Sequence, residues 1–242
     1  MEEKGVLLIG PSIGWIFAQG IYDLTKHEKF LQEVGASATE LVMYLVEEKR
    51  QQALLNGDPM GMAFTTVHLD DLSPDRPSEG QVALAKKIVD RHKAAAAVAH
   101  PVNNPVSYYE DLLAAGVPAA IENMDRNKVR GHAIWELRDL IEKHGLKFVL
   151  DVQHAYEHDP GMTYAWELYQ MGSPNLVYLH VSGQSEKSIH SLVHLAENGA
   201  AIIHFLGKVF SEKKLPIILE GQYTTAQEVK KEIESLKQEL GF

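Results

Sequence analysis

Residues Lys147–His154 read KFVLDVQH. The run Lys147–Leu150 has the length and apolar content of a strand buried on both faces. It leads straight into Asp151, and a histidine follows three positions later. A carboxylate at the end of a buried strand is strongly unfavourable unless it is paired or holds a cation. The question is whether other strands end the same way.

They do. TTVHLDD (65–71) carries His68, AAAVAHP (95–101) carries His100, and PAAIENMD (118–125) carries Glu122. LVYLHVSG (176–183) carries His180, and PIILEGQY (216–223) carries Glu220. Short apolar runs occur at Val6–Gly10, Ala38–Tyr44, Ala63–Leu69, Ala94–Ala99, Pro118–Ile121, Lys147–Leu150, Leu176–Leu179 and Pro216–Leu219. Six of these eight runs therefore end in a residue type that binds metals. The second run, ASATELVMYLVEEKR, merges into a helical pattern without a turn signal.

Amphipathic stretches separate the runs. Thr25-x-x-Glu28, Ser78-x-x-Gln81, Ser107-x-x-Glu110 and Thr225-x-x-Glu228 fit the capping box that opens a helix. Helices are expected after each, and at His132–His144 (ending at Gly145), Thr163–Met171 and Ala200–Glu212. Eight strand–helix units in 242 residues specify an α/β chain, a (β/α)8 TIM barrel in a single domain spanning 1–242. A doubly wound open sheet competes, but no Gly-rich phosphate loop supports it. In a parallel barrel every carboxyl-terminal strand end lies on one face. The six residues would then share one centre, and a divalent cation would relieve the repulsion among their carboxylates.

Composition narrows the function. The chain has no cysteine, which removes disulfides, thiolate nucleophiles and Cys-type zinc sites. The net charge of −10 repels nucleic acid overall. The apolar start MEEKGVLLIG is too short for a signal or membrane segment, and a cytoplasmic protein is expected. His194 could supply a further ligand, and His190 could join it on one helical turn. His27, His92, His132, His144, His158 and His204 are expected on the surface. Arg126, Lys128 and Arg130 follow Glu122 and could hold a substrate phosphate. Trp15, Phe17, Tyr108, Tyr156 and Tyr223 follow strand ends and could wall a pocket.

The ordered set Glu122, Asp151-x-x-His154, His180, Glu220 resembles the xylose isomerase-like TIM barrels, which include sugar phosphate isomerases and epimerases and endonuclease IV. The resemblance to the epimerases implies one divalent ion, often manganese, on Glu122, Asp151, His180 and Glu220. It also implies a catalytic acid–base pair, Glu122 and Glu220, and His154 in contact with substrate. Those enzymes usually carry an arginine past the metal-binding histidine. Here the loop reads HVSGQSEKS and offers only Lys187. The resemblance to endonuclease IV implies up to three zinc ions. His68 and His100 would join Glu122 at the first, and His154 and His194 would hold the third, where Leu192 replaces an expected aspartate.

Two chemistries follow from the resemblance. One is isomerisation or epimerisation of a small sugar or sugar phosphate through a metal-stabilised enediolate. The other is zinc-dependent hydrolysis of a phosphate ester, including DNA at abasic sites. A binding barrel without turnover is a third reading. The resemblance also implies a homodimer and a divalent-metal cofactor, zinc or manganese, in one to three ions.

Overall fold

The computed structural model describes residues 6–44, 47–72, 78–102, 104–186 and 188–242. In chain order the strands are β1 (Ile9–Pro11), β2 (Ala38–Val42), β3 (Phe64–His68), β4 (Ala97–Ala99), β5 (Ala119–Glu122), β6 (Lys147–Asp151), β7 (Leu176–Val181), β8 (Gly183–Ser185), β9 (Ser188–Ser191) and β10 (Ile217–Leu219). The helices are α1 (Gly14–Ala18), α2 (Leu24–Glu33), α3 (Glu48–Asn56), α4 (Ser78–His92), α5 (Val106–Ala114), α6 (Ile134–His144), α7 (Val152–His158), α8 (Thr163–Gly172), α9 (Gly199–Glu212) and α10 (Ala226–Glu239).

Eight strands form one parallel sheet in the order β1-β10-β7-β6-β5-β4-β3-β2. β1 and β2 nearly close the ring through a parallel bridge between Ser12 and Glu40, with the Ile13 amide donating to the Glu40 carbonyl at 3.0 Å. Gly10 is required at this seam, because a Cβ there would lie 1.8 Å from the Ala38 carbonyl oxygen. The remaining strands, β8 and β9, form a separate antiparallel hairpin after β7. The chain is thus a (β/α)8 TIM barrel, as the alternation of runs and helices requires.

The interior is what places the site. One buried cluster contains Ala38, Ala96, Val98, Ala120, Val149, Tyr178 and Ile218, one or two from each of six strands or the residue before them. Side chains on a strand alternate faces with a period of two. Two residues beyond these stand Glu40, His100, Glu122, Asp151, His180 and Glu220. In β4, β5, β6, β7 and β10 the inward-facing row therefore begins with a buried side chain deeper in the barrel and ends in a ligand-type residue toward its mouth, while on β2 it ends in Glu40. The helices pack their apolar stripes on the outer face of the sheet.

Several local expectations need correction. The Thr225 capping box forms, with Thr225 accepting from the Glu228 amide. Helix α2 is instead capped by Asp23, which accepts from the Thr25 amide at 3.0 Å and leaves Thr25 inside the helix. Helix α5 starts from Pro105 without a side-chain cap. The residue preceding Ser78 lies outside the described residues. Helix α6 ends at Gly145 with φ 69°, as expected. The ambiguous second run resolves into strand β2 and, after Glu47, helix α3. His27 and His92 are buried rather than exposed. Each places Nε2 2.8 Å from a backbone carbonyl, of Ile21 and Leu54 respectively, and burial holds both pKa values down. Among the described residues no helix is long and apolar enough to cross a membrane.

Candidate metal centre

Two groups of ligand-type side chains meet at the mouth of the barrel. Glu122, Asp151, His180 and Glu220 form an inner group, and His68, His100 and Glu122 form an outer one. Within each group the candidate ligand atoms lie within 4.8 Å of one another, and Glu122 belongs to both. All of them except Asp151 and His180 line a cavity of about 700 Å³. Trp15, Asp71, Lys128, His154 and His190 are also on its wall.

The inner group is built on buried strand ends. Asp151 caps helix α7 through Oδ1, which accepts from the His154 amide at 2.7 Å. Its Oδ2 is buried without a hydrogen-bond partner. Glu122 Oε2 and His180 Nδ1 are likewise buried and unpartnered. His180 Nδ1 lies 3.2 Å from Glu122 Oε2 and 3.6 Å from Glu220 Oε1. Buried polar atoms are almost always satisfied, and these three converge on one point that could hold a cation. The donor set, three carboxylates and one imidazole, suits a divalent ion, and we judge that the residues fit one.

Charge distribution agrees. Burial and the Glu122, Asp151 and Glu40 carboxylates push Glu220 well above the usual carboxylate range, although His180 opposes them. Burial acts on Glu122 in the same sense, but His180, His100 and His154 outweigh it and hold that carboxyl well below the range. His180 is itself raised, because Glu220, Glu40 and Glu122 overcome its burial.

In the outer group the His68 and His100 Nε2 atoms face each other at 3.2 Å. His68 donates Nδ1–H to the Leu69 carbonyl at 3.0 Å, so Nε2 is the ring atom directed into the group. Burial and the neighbouring His68 lower the His100 pKa to about 4, so this ring is neutral at pH 7. His154 donates Nδ1–H to the Asn123 carbonyl at 2.9 Å and turns its other edge toward the cavity.

Other expected residues go elsewhere. His194 is in neither group among the described residues. Its Nδ1 and backbone amide, with the Val193 amide, bind the buried carboxylate of Glu232 on α10. His190 and His194 do not share a helical turn, because His190 lies on β9 and His194 in a short 3-10 turn. It is His190 that faces His154, with ring centroids 5.9 Å apart. Arg126 lines a separate small pocket with Tyr156, and of its cluster only Lys128 reaches the main cavity. Lys187 lies outside the described residues. Of the aromatic residues, Trp15 lines the cavity, while Phe17, Tyr108 and Tyr223 are core.

Sequence reasoning missed Glu40 and Asn123. Asn123 stitches β5 to β6, its amide oxygen accepting from the Asp151 N–H at 2.8 Å and its nitrogen donating to the Asp151 carbonyl at 2.9 Å. Glu40 lies behind His180, with Oε2 3.0 Å from Nε2. The available signal was a glutamate inside an otherwise apolar run, which demands a buried partner.

No family model and no curated protein matches the sequence. Solved structures do match. A D-tagatose 3-epimerase-like protein is 15% identical, with 97% of each chain covered and a TM-score of 0.61. A xylose isomerase domain containing protein from Salmonella typhimurium is 14% identical, with 97% of each chain covered and a TM-score of 0.67. Endonuclease IV from Thermus thermophilus is 17% identical over 96% of this chain and 98% of that one, with a TM-score of 0.67. At such identities the likeness is one of fold: this chain and these structures share the (β/α)8 barrel.

Proposed function

We propose that the protein is a divalent-metal-dependent isomerase or epimerase of a small sugar or sugar phosphate. The observation that carries this reading is the placement of two glutamates, Glu122 and Glu220, in one ligand group on the wall of one small cavity. Glu122, Asp151, His180 and Glu220 would hold the ion. Bound there, zinc or manganese would supply Lewis acidity that stabilises negative charge developing on neighbouring substrate oxygens. One glutamate removes the proton alpha to the substrate carbonyl, and the other returns it. The opposite displacement of their pKa values suits an acid–base pair. His154 binds a substrate hydroxyl from the cavity wall, and Trp15 covers the apolar edge of the ring. Among the described residues two Lys or Arg side chains, Arg50 and Lys128, line the cavity. Arg50 is already paired with Glu47 at 3.0 Å. Such a wall suits a neutral or singly phosphorylated sugar better than a polyanion.

The test is a screen of aldoses, ketoses and their phosphates for exchange of the alpha proton with solvent, using metal-loaded protein. Exchange with one of them, abolished in Glu220→Gln, is the expected result. No exchange with any of them would count against the reading.

The outer group favours a second reading, metal-assisted hydrolysis of a phosphate ester. His68 and His100 extend the ligand set beyond what one ion needs, and Glu122 would bridge two. Cleavage of an abasic DNA duplex at low salt with zinc supplied would establish it, and intact duplex would retire it.

A further inference from the structure

Glu40 takes no part in the chemistry above, yet it is fully enclosed in the barrel. Its Oε2 accepts the Tyr178 hydroxyl at 2.9 Å and faces His180 Nε2 at 3.0 Å. The Thr66 hydroxyl reaches the Tyr178 oxygen at 3.2 Å and the Ala96 carbonyl at 2.9 Å. These residues come from β2, β3 and β7, and small neighbours, Ala38, Ala96 and Ala120, leave room for the Tyr178 ring to stand among them.

Tyr178 has one proton and donates it to Glu40, while the one proton of Thr66 goes to the Ala96 carbonyl, which can only accept. A carboxylate oxygen can only accept, so the 3.0 Å contact requires the hydrogen of His180 to sit on Nε2. A neutral His180 then carries its lone pair on Nδ1. That atom is the buried, unpartnered one facing Glu122 Oε2 and Glu220 Oε1. Facing two carboxylate oxygens, that atom is favourably placed only with a positive charge beside it, a proton or a cation.

We infer that Glu40 is a positioning residue for the inner cation. It holds His180 with Nε2 protonated and Nδ1 aimed at the ion, and it strengthens the imidazole as a ligand by placing a carboxylate behind it. Tyr178 fixes the orientation of that carboxylate. The inference rests on the metal reading of the inner group, and it adds a requirement that the four ligands alone do not impose.

Two measurements test it. In wild-type protein loaded with cadmium-113 and carrying nitrogen-15 histidine, metal–nitrogen coupling is expected on Nδ1 of His180, with the proton on Nε2. Coupling through Nε2 would overturn the inference, and this readout needs no variant to fold. In Glu40→Gln, zinc affinity of the inner group, measured by competition with a chromophoric chelator, is expected to fall roughly 10- to 100-fold. The His180 ring-nitrogen shifts are expected to move with it, because a carboxamide can also donate to Nε2. Affinity within twofold of wild type, with unchanged ring shifts, would overturn the role of Glu40. Wild-type protein that takes up neither metal would overturn the metal reading of the inner group itself.

Discussion

The inner and outer ligand groups share Glu122 but are built differently. In the inner group the Asp151 and His180 side chains have no solvent exposure, and His180 is backed by the enclosed Glu40–Tyr178 chain. In the outer group His68 is 16% exposed and His100 34%. Its supports are a single backbone carbonyl on His68 and Asp71 at 3.8 Å from His100. A buried, doubly supported ligand set loses little freedom on binding a cation, whereas a half-exposed one must be ordered by it. The same barrel mouth thus offers one preorganised position and one looser position, and this difference can be broken or sharpened by mutation.

The largest effect is expected from Glu122→Ala. It removes the carboxylate common to both groups, so metal per chain after dialysis, read by elemental analysis, should fall to near zero. Full retention would mean that the two groups are independent of it. His100→Ala should be selective. It should remove outer binding while leaving inner zinc affinity within a few-fold, as read by chelator competition. Loss of both would show that the outer group supports the inner.

A third expectation concerns pH in the metal-free protein. His100 has a folded pKa of about 4 against the ordinary 6.5. As pH falls below 6.5 the unfolded chain takes up this proton first, so the His100 contribution to stability is lost between pH 6.5 and about 4. Urea midpoints measured across that window should fall less steeply in His100→Gln; an unchanged slope would contradict the assignment. The smallest effect is a control. Thr225→Ala removes the capping box of α10 and should cost about 1 kcal/mol of stability. Its metal content should equal that of wild type, which separates loss of metal from loss of stability.

The fold and most of the site were legible for one physical reason. Period-two alternation ties most of the ligands to an apolar residue two positions before them, as Val149 is tied to Asp151 and Ile218 to Glu220. What was not legible depends on partners distant in sequence. Glu40 was hidden in a run that blends into a helical pattern, and its partner His180 is 140 positions away. His194 was expected at the centre, but a buried carboxylate 38 positions on, Glu232, turns it aside. His27 and His92 look like surface residues until helix packing supplies each with a carbonyl. Capping boxes misled where a stronger cap lay two residues upstream, as Asp23 does for Thr25.

The central claim is that Glu122, Asp151, His180 and Glu220 enclose a divalent ion. Anomalous diffraction from crystals grown with manganese tests it most directly. A peak lying among those four side chains is the expected result. A saturating ion concentration that leaves that space without a peak would contradict the account.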